Sequence, residues 1–249
     1  MSPWRLRGEK TLSDFFIRKL RHGASLSEDD ERALRALYMN VDKFDAQSDV
    51  TMEGDTPKSI KLVLEGWACR YKLLENGKRQ IISLFLPGDM CEPYMTLPQF
   101  MDHSLGALTP ATVARVSPEV IKTAASERPQ IEKALWWDLL LAMAIGRESV
   151  VTLGRRLASE RLGHLFCELH LRLDKVGLVD GLGYEMPLTQ SNLGDLLGMS
   201  TVHVNRSLQE LRAAGLLTMR GRRLTILDLE GLRSASLFDP AYLRSNTQA

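Results

Sequence analysis

The forty residues from Leu188 to Leu227, LTQSNLGDLLGMSTVHVNRSLQELRAAGLLTMRGRRLTIL, leave few folds open. Thr189 offers a side-chain oxygen to cap a helix whose buried side would be Leu193, Leu196 and Leu197. Gly198 ends that helix, Met199 packs in the turn, and Ser200 caps the next. In the second helix Val204, Leu208 and Leu211 recur at i, i+4 and i+7 and must face a core. A rotation of about 100° per residue from that stripe leaves Val202, Asn205, Arg206 and Gln209 outward. Two apolar runs, Leu216 to Met219 and Leu224 to Leu227, then flank Arg220-Gly221-Arg222-Arg223, which reads as a hairpin with a cationic tip. Two short helices, a tight turn and a small hairpin, in that order, make a winged helix-turn-helix.

Asn, Arg and Gln side by side on an exposed helix face are the side chains that pair with base edges in a major groove. Between Ser200 and Leu227 stand Arg206, Arg212, Arg220, Arg222 and Arg223, with Glu210 as the sole acid. A basic wing beside a recognition helix suits a phosphate backbone. An arginine cluster by itself is usually a solvated surface. Here cap, turn, helix face and wing coincide in order, and that coincidence points to double-stranded DNA.

At 249 residues the chain exceeds one average domain. A formal charge of +1 offers no global attraction to a polyanion, so the nucleic-acid signal is local. Cys69, Cys91 and Cys167 are scattered, with no CxxC and no metal-ligand spacing, which fits a reducing cytosol. The opening MSPWRLRGEK has no apolar core for a signal peptide. The most apolar run, Ala134 to Ile145, contains Asp138 and is far shorter than the ~20 residues of a membrane span. A cytoplasmic chain with no membrane partner is expected.

Helices are expected around Leu12 to Leu20 and from Ser27, with Glu28, Asp29 and Asp30 in its first turn, to Met39. From about Val41 to Val116 the texture is that of strands. Ile60 to Leu64, Trp67 to Leu74 and Gln80 to Leu86 are separated by Glu65-Gly66, Asn76-Gly77 and Pro87-Gly88, and Asn76-Gly77 reads as a two-residue hairpin loop. Many short strands with regular turns predict a β-sandwich or jelly roll. Ser117-Pro118-Glu119 starts another helix, and a long helical pattern follows Arg128-Pro129 to about Leu157. In it Leu135, Leu139, Ala142, Gly146, Ser149 and Leu153 alternate at spacings of four and three, a seam suited to dimerisation. The plainer alternative is a helix packed on its own domain. Ala158-Ser159-Glu160 reads as a hinge and fresh cap. The expected class is α+β: N-terminal helices over 1–40, a β-roll over 41–127, a dimerisation helix over 128–158, the winged helix-turn-helix over 159–235 and a tail over 236–249.

This order resembles the Crp/Fnr family of bacterial transcription regulators over nearly the whole chain. The matching pieces are GWACRYK…NGKRQIISLFLPGD, the long helix with its hinge at Ser159, and LTQSNLGDLLGMSTVHVNRSLQELRAAGLL, of which the last is specific. The resemblance implies a homodimer that sets one recognition helix in each half of a palindromic site, with RNA polymerase as a further partner. It implies phosphate contacts from Thr189 and Ser191 and base contacts from Val202, Asn205 and Arg206. Ser200, Thr201 and His203 flank these, His203 turned toward a phosphate or the protein itself. Gln209, Arg220, Arg222 and Arg223 complete the DNA-facing set.

The sensory half departs from the family's cyclic-nucleotide binders, which use a Gly-Glu for the ribose and an Arg-Ser pair for the phosphate. Pro87 to Thr109 offers Glu92 but no arginine, and no Lys or Arg occurs between Gln80 and Ala114, while Asp89, Glu92 and Asp102 are acidic. Burying a phosphate there without a cation would cost several kcal/mol, so cyclic AMP is not expected and no cofactor is assigned. An iron–sulfur site needs about four Cys ligands, and no cysteine precedes Cys69. Haem ligation through Cys69, Cys91 or His103 stays open but competes with ordinary packed thiols and imidazoles. The leading expectation is a homodimeric, sequence-specific regulator independent of cyclic nucleotides. The competitor is a β-roll that senses a small molecule or redox signal and controls DNA binding. No nucleophile motif, phosphate loop, HExxH or paired-carboxylate signature supports an enzyme.

Overall fold

In a computed structural model of the chain, residues 14–92 and 100–243 are described. The chain divides into two compact units, 1–72 with 83–139, and 73–82 with 140–249.

The first unit begins with α1 (Asp14–Leu20) and α2 (Glu28–Arg35). Seven strands follow: β1 (Tyr38–Phe44), β2 (Asp49–Thr51), β3 (Ile60–Glu65), β4 (Ala68–Leu73), β5 (Arg79–Phe85), β6 (Ser104–Ala107) and β7 (Ala111–Val116). Helices α3 (Pro118–Glu127) and α4 (Pro129–Arg155) come next, and the division between the units falls inside α4. One sheet has the order β1-β7-β3 and the other β2-β6-β4-β5. Leu62 and Leu64 of β3 and Ala114 and Val116 of β7 pack with Phe16, Ile17 and Leu20 of α1 and with Ile131 and Ala134 of α4. Within this apolar region Lys19 Nζ sits 2.6 Å from Asp89 and 2.5 Å from Asp138. Burial alone would lower the Lys19 pKa, but the two carboxylates outweigh it and hold the ammonium charged. The triad ties α1, the turn after β5 and α4 together.

Two local expectations are corrected. Helix α2 opens as a capping box, with Ser27 Oγ accepting from the Asp30 N–H (3.2 Å) and Asp30 Oδ2 from the Ser27 N–H (2.9 Å). It ends at Arg35 rather than Met39, because the chain from Tyr38 is claimed by antiparallel pairing with β7, Tyr38 opposite Val116. The β4–β5 loop is not the two-residue turn expected of Asn76-Gly77. Gly77 alone takes a positive φ (79°) and donates to the Leu74 carbonyl, and Leu74 donates to that of Lys78. Three residues therefore lie between the paired ends, the form in which one left-handed glycine closes the turn. Leu12 lies outside the described residues.

The second unit holds α5 (Ala158–Lys175), β8 (Val179–Asp180), β9 (Gly183–Glu185), α6 (Gln190–Leu197), α7 (Thr201–Ala213), β10 (Leu217–Arg220), β11 (Arg223–Ile226) and α8 (Leu229–Ala235). Its sheet runs β10-β11-β9-β8, antiparallel throughout. Leu162, Phe166, Leu169 and Leu173 of α5 are buried, and α5 packs against α7 and α8. Leu157 stands at the N-cap of α5 without a side-chain oxygen, and Glu160 Oε2 accepts its N–H (2.7 Å), so the cap is Glu160 and not Ser159. Arg161 donates to the carbonyls of Leu153, Arg156 and Leu197, each at 2.9 Å, serving helix C-terminal ends that would otherwise be unpaired. Arg79 Nε donates to Asp195 of α6 (2.8 Å), and Gln80 Nε2 to the Leu196 carbonyl (3.2 Å). Among the described residues no helix is long and apolar enough to cross a membrane.

Candidate nucleic-acid interface

Helix α6 begins with a reciprocal cap. Thr189 Oγ1 accepts from the Asn192 N–H (3.1 Å) while Asn192 Oδ1 accepts from the Thr189 N–H (3.1 Å). It ends at Gly198 in the left-handed region, φ 64°. A Cβ on Gly194 would come within 2.5 Å of the Met199 carbonyl oxygen, so only glycine lets the helix lie this close to the turn. Ser200 Oγ then accepts from the His203 N–H (3.3 Å) and starts α7. Thr189 and Ser200 thus work first as caps, although Thr189 and Ser191 are exposed at the start of α6. On α7 the residues Val204, Ser207, Leu208 and Leu211 are buried. Thr201, Val202, His203, Asn205, Arg206 and Gln209 are exposed, Val202 at 73 %.

In the wing Arg220 pairs with Arg223 across Gly221 and Arg222, and Gly221 has φ 59°, at the position where a type II′ turn takes glycine. Arg220 and Arg222 are exposed. Arg223 differs: its Nη2 donates to Asp180 Oδ2 (2.9 Å) and its guanidinium lies over Gly183. Arg223 is exposed as well, so the carboxylate beside it reduces its attraction for phosphate without removing it. Gln190 of α6, Asn205, Gln209 and Arg212 of α7 and Met219 and Gly221 of the wing line a cleft of about 230 Å³. Gln190 carries no periodicity signal in the sequence, and Glu210 accepts from Arg206 Nε (3.1 Å), a contact that the i, i+4 spacing permits.

On the long helix the residues of the expected seam differ in exposure. Leu135 packs against the core of the first unit, and Leu139 and Ser149 are half-buried, the Ser149 hydroxyl donating to the Ile145 carbonyl (2.9 Å). Ala142, Gly146 and Leu153 are exposed. The large apolar residues left open over 129–157 are Trp136, Leu140, Met143, Val150, Val151, Leu153 and Leu157, while Ile131, Ala134, Asp138, Leu141, Ala144 and Thr152 face inward. Apolar residues on more than one side made the phase undecidable from spacing alone.

In the β-roll, the absence of cations between Gln80 and Ala114 proves local to the sequence. Arg70 of β4 donates from Nε to Glu92 Oε1 (3.1 Å) and from Nη2 to the Cys91 carbonyl (3.1 Å), and its guanidinium lies 5.4 Å from the Phe85 ring centroid. His103 adds Nε2 at 3.0 Å from Glu92 and Nδ1 at 2.6 Å from Asp102. Burial would lower the His103 pKa, but the hydrogen bonds to Glu92 and Asp102 raise it overall. Glu92 Oε1 is thus engaged by Arg70 and by His103. Cys69, Cys91 and Cys167 are all buried, and burial pushes the Cys167 thiol up to about 12 and Cys91 also upward, away from the thiolate form in which a cysteine reacts.

A β-roll, a long helix and a winged helix-turn-helix with an exposed row of amides and arginine define a two-domain DNA-binding regulator. Residues 160–235 match the family described as Crp-like helix-turn-helix domain, and residues 41–128 match the cyclic nucleotide-binding domain. The nitrogen fixation regulation protein FixK of Bradyrhizobium diazoefficiens is 29 % identical over 217 residues, covering 87 % of this chain and 90 % of its own. The transcriptional activator protein FnrL of Cereibacter sphaeroides is 24 % identical over 215 residues, covering 84 % and 85 %. The solved structure of FixK2 from Bradyrhizobium japonicum has the same fold, with a TM-score of 0.70 at 24 % identity over 79 % of this chain and 96 % of that one. The chain belongs to the Crp/Fnr family of transcription regulators and is a DNA-binding regulator of that type.

Proposed function

We propose that the protein is a cytoplasmic, non-enzymatic homodimer that binds a palindromic operator and meets RNA polymerase there. The observation that carries this reading is the exposed row Val202, Asn205, Arg206 and Gln209 on α7, held outward by a fully buried opposite face. Arg206 reads a guanine, which presents O6 and N7 to a guanidinium fork, with Val202 and Asn205 as neighbouring readers. Ser191, Thr189 and the wing residues Arg220 and Arg222 hold phosphates and carry the salt dependence. Dimerisation runs along the open face of α4, where Trp136, Leu140, Met143 and Val150 have no cover in the single chain. The domain limits proposed are 1–40, 41–127, 128–158, 159–235 and 236–249.

The regulator acts without cyclic AMP or cyclic GMP. What supports this is the engagement of Glu92 Oε1 by Arg70 and His103, which turns the Arg70 guanidinium to a carboxylate of its own chain rather than to a phosphate. The test is selection of bound DNA from a random pool by the purified protein without added nucleotide. A two-fold symmetric sequence should be enriched and shifted in gels. Failure to enrich any sequence until a cyclic nucleotide is supplied would overturn the independence, and failure under both conditions would overturn specific recognition.

A further inference from the structure

Glu210 is the only acidic side chain on α7, and it is half exposed on the helix that carries the base-reading candidates. A carboxylate on a surface that meets a polyanion weakens binding, so its place there asks for a reason. It lies four residues after Arg206, one helical turn farther from the α7 N-terminus, where side chains at i and i+4 meet. Its Oε1 accepts from Arg206 Nε at 3.1 Å.

The chemistry of that contact is selective. Engaging the guanidinium through Nε leaves the two terminal amino groups as the free edge. Those groups form the end-on fork that matches the O6 and N7 acceptors of guanine. An unheld Arg206, its side chain 77 % exposed, can equally swing to the nearest phosphate.

We propose that Glu210 is a positioning residue that holds Arg206 end-on toward its base and away from the phosphates, so that it lowers general affinity and raises selectivity. The proposal rests on the base-reading role given to Arg206 above.

The test uses the full-length protein, the operator recovered by the wild type from a random pool, all its single-base-pair variants and an unrelated duplex of equal length. Arg206→Ala identifies the base pair that Arg206 reads, with a loss of discrimination of about tenfold there. Glu210→Ala should lower discrimination at that same pair by about three- to fivefold, leave the other pairs unchanged, and tighten binding to the unrelated duplex about twofold. Glu210→Gln removes the charge but keeps an acceptor for Nε, so it should show the same tightening and retain more of the discrimination. In the Arg206→Ala background, Glu210→Ala should leave discrimination unchanged. Unaltered discrimination in the single Glu210→Ala variant, or an equal loss at every base pair, overturns the positioning role. If Arg206→Ala flattens no base pair, the base-reading role of Arg206 fails first and the positioning role falls with it.

Discussion

Val202 stands 73 % exposed on the same face of α7 as Arg206. Its isopropyl group carries no acceptor for the cytosine amino group and can only pack against a thymine methyl. The wild type should therefore show a T·A preference or near-indifference at the pair facing Val202, and Val202→Glu should create a preference for C·G worth ~1–3 kcal/mol. Selection experiments that return the same base from both proteins would show that the residue is no reader. A second position is purely conformational. Leu237, just after α8, has φ 52° and is exposed, so its side chain gains little burial while its Cβ is crowded by the backbone. Its carbonyl accepts from Arg156 Nη2 (3.1 Å), an interaction that any residue can keep. Leu237→Gly should raise unfolding free energy by about 0.5–1 kcal/mol in urea titrations, the reverse of the usual cost of glycine.

The proposed assembly rests on helix α4. Its inward stripe, Ile131, Ala134, Leu141 and Ala144, is filled by its own chain, and Asp138 is held by Lys19. The open face around Met143, itself 51 % exposed, has no such role in the single chain. Met143→Glu should leave the far-ultraviolet spectrum intact but give monomers in light scattering, because pairing would bury two like charges at a cost of several kcal/mol. Operator binding should fall with it. A variant that stays dimeric would place the interface elsewhere. The spacing of three and four in α4 was legible in the sequence, but which stripe of the helix stays open in the single chain was not. Leu135 and Trp136 are both apolar, and only the packing of Leu135 against the first unit's core decides which of the two is left open.

For the molecule as a whole, acid stability should be governed by a histidine remote from the DNA-facing residues. His164 is buried among Phe238 and Tyr242, and burial, with Arg156 nearby, lowers its pKa to about 3. Glu148 lies 3.4 Å away, but its carboxylate is taken by Arg156 at 2.6 Å. Since the folded-state pKa is depressed, the unfolded chain takes up a proton that the folded chain refuses. Stability present above about pH 6.5 is lost as pH falls toward 3, by up to ~1.4 kcal/mol per unit. Between pH 6.5 and 5 the wild type should lose about 2 kcal/mol in urea titrations beyond the loss shown by His164→Phe. Equal pH slopes for the two proteins would remove His164 from the account.

The winged helix-turn-helix was legible residue by residue. Its signals are local: Thr189 and Ser200 cap the chain segments they precede, Gly198 alone tolerates the left-handed turn, and the Val204–Leu208–Leu211 stripe assigns the outward face by helical geometry. The β-roll was legible as a class, from short apolar runs between turn residues. What required tertiary structure was every feature that joins distant segments. Arg70 and Glu92 are 22 residues apart and meet through the folding of β4 beside the turn after β5, which overturned the argument that no cation serves that region. Nothing near Arg223 in the sequence announces its partner Asp180, 43 residues earlier, which is brought against it by the pairing of β8, β9 and β11. Capping and periodicity act over a few residues and are written in them, whereas charge pairing and the choice of buried face depend on which partners the whole chain brings within reach.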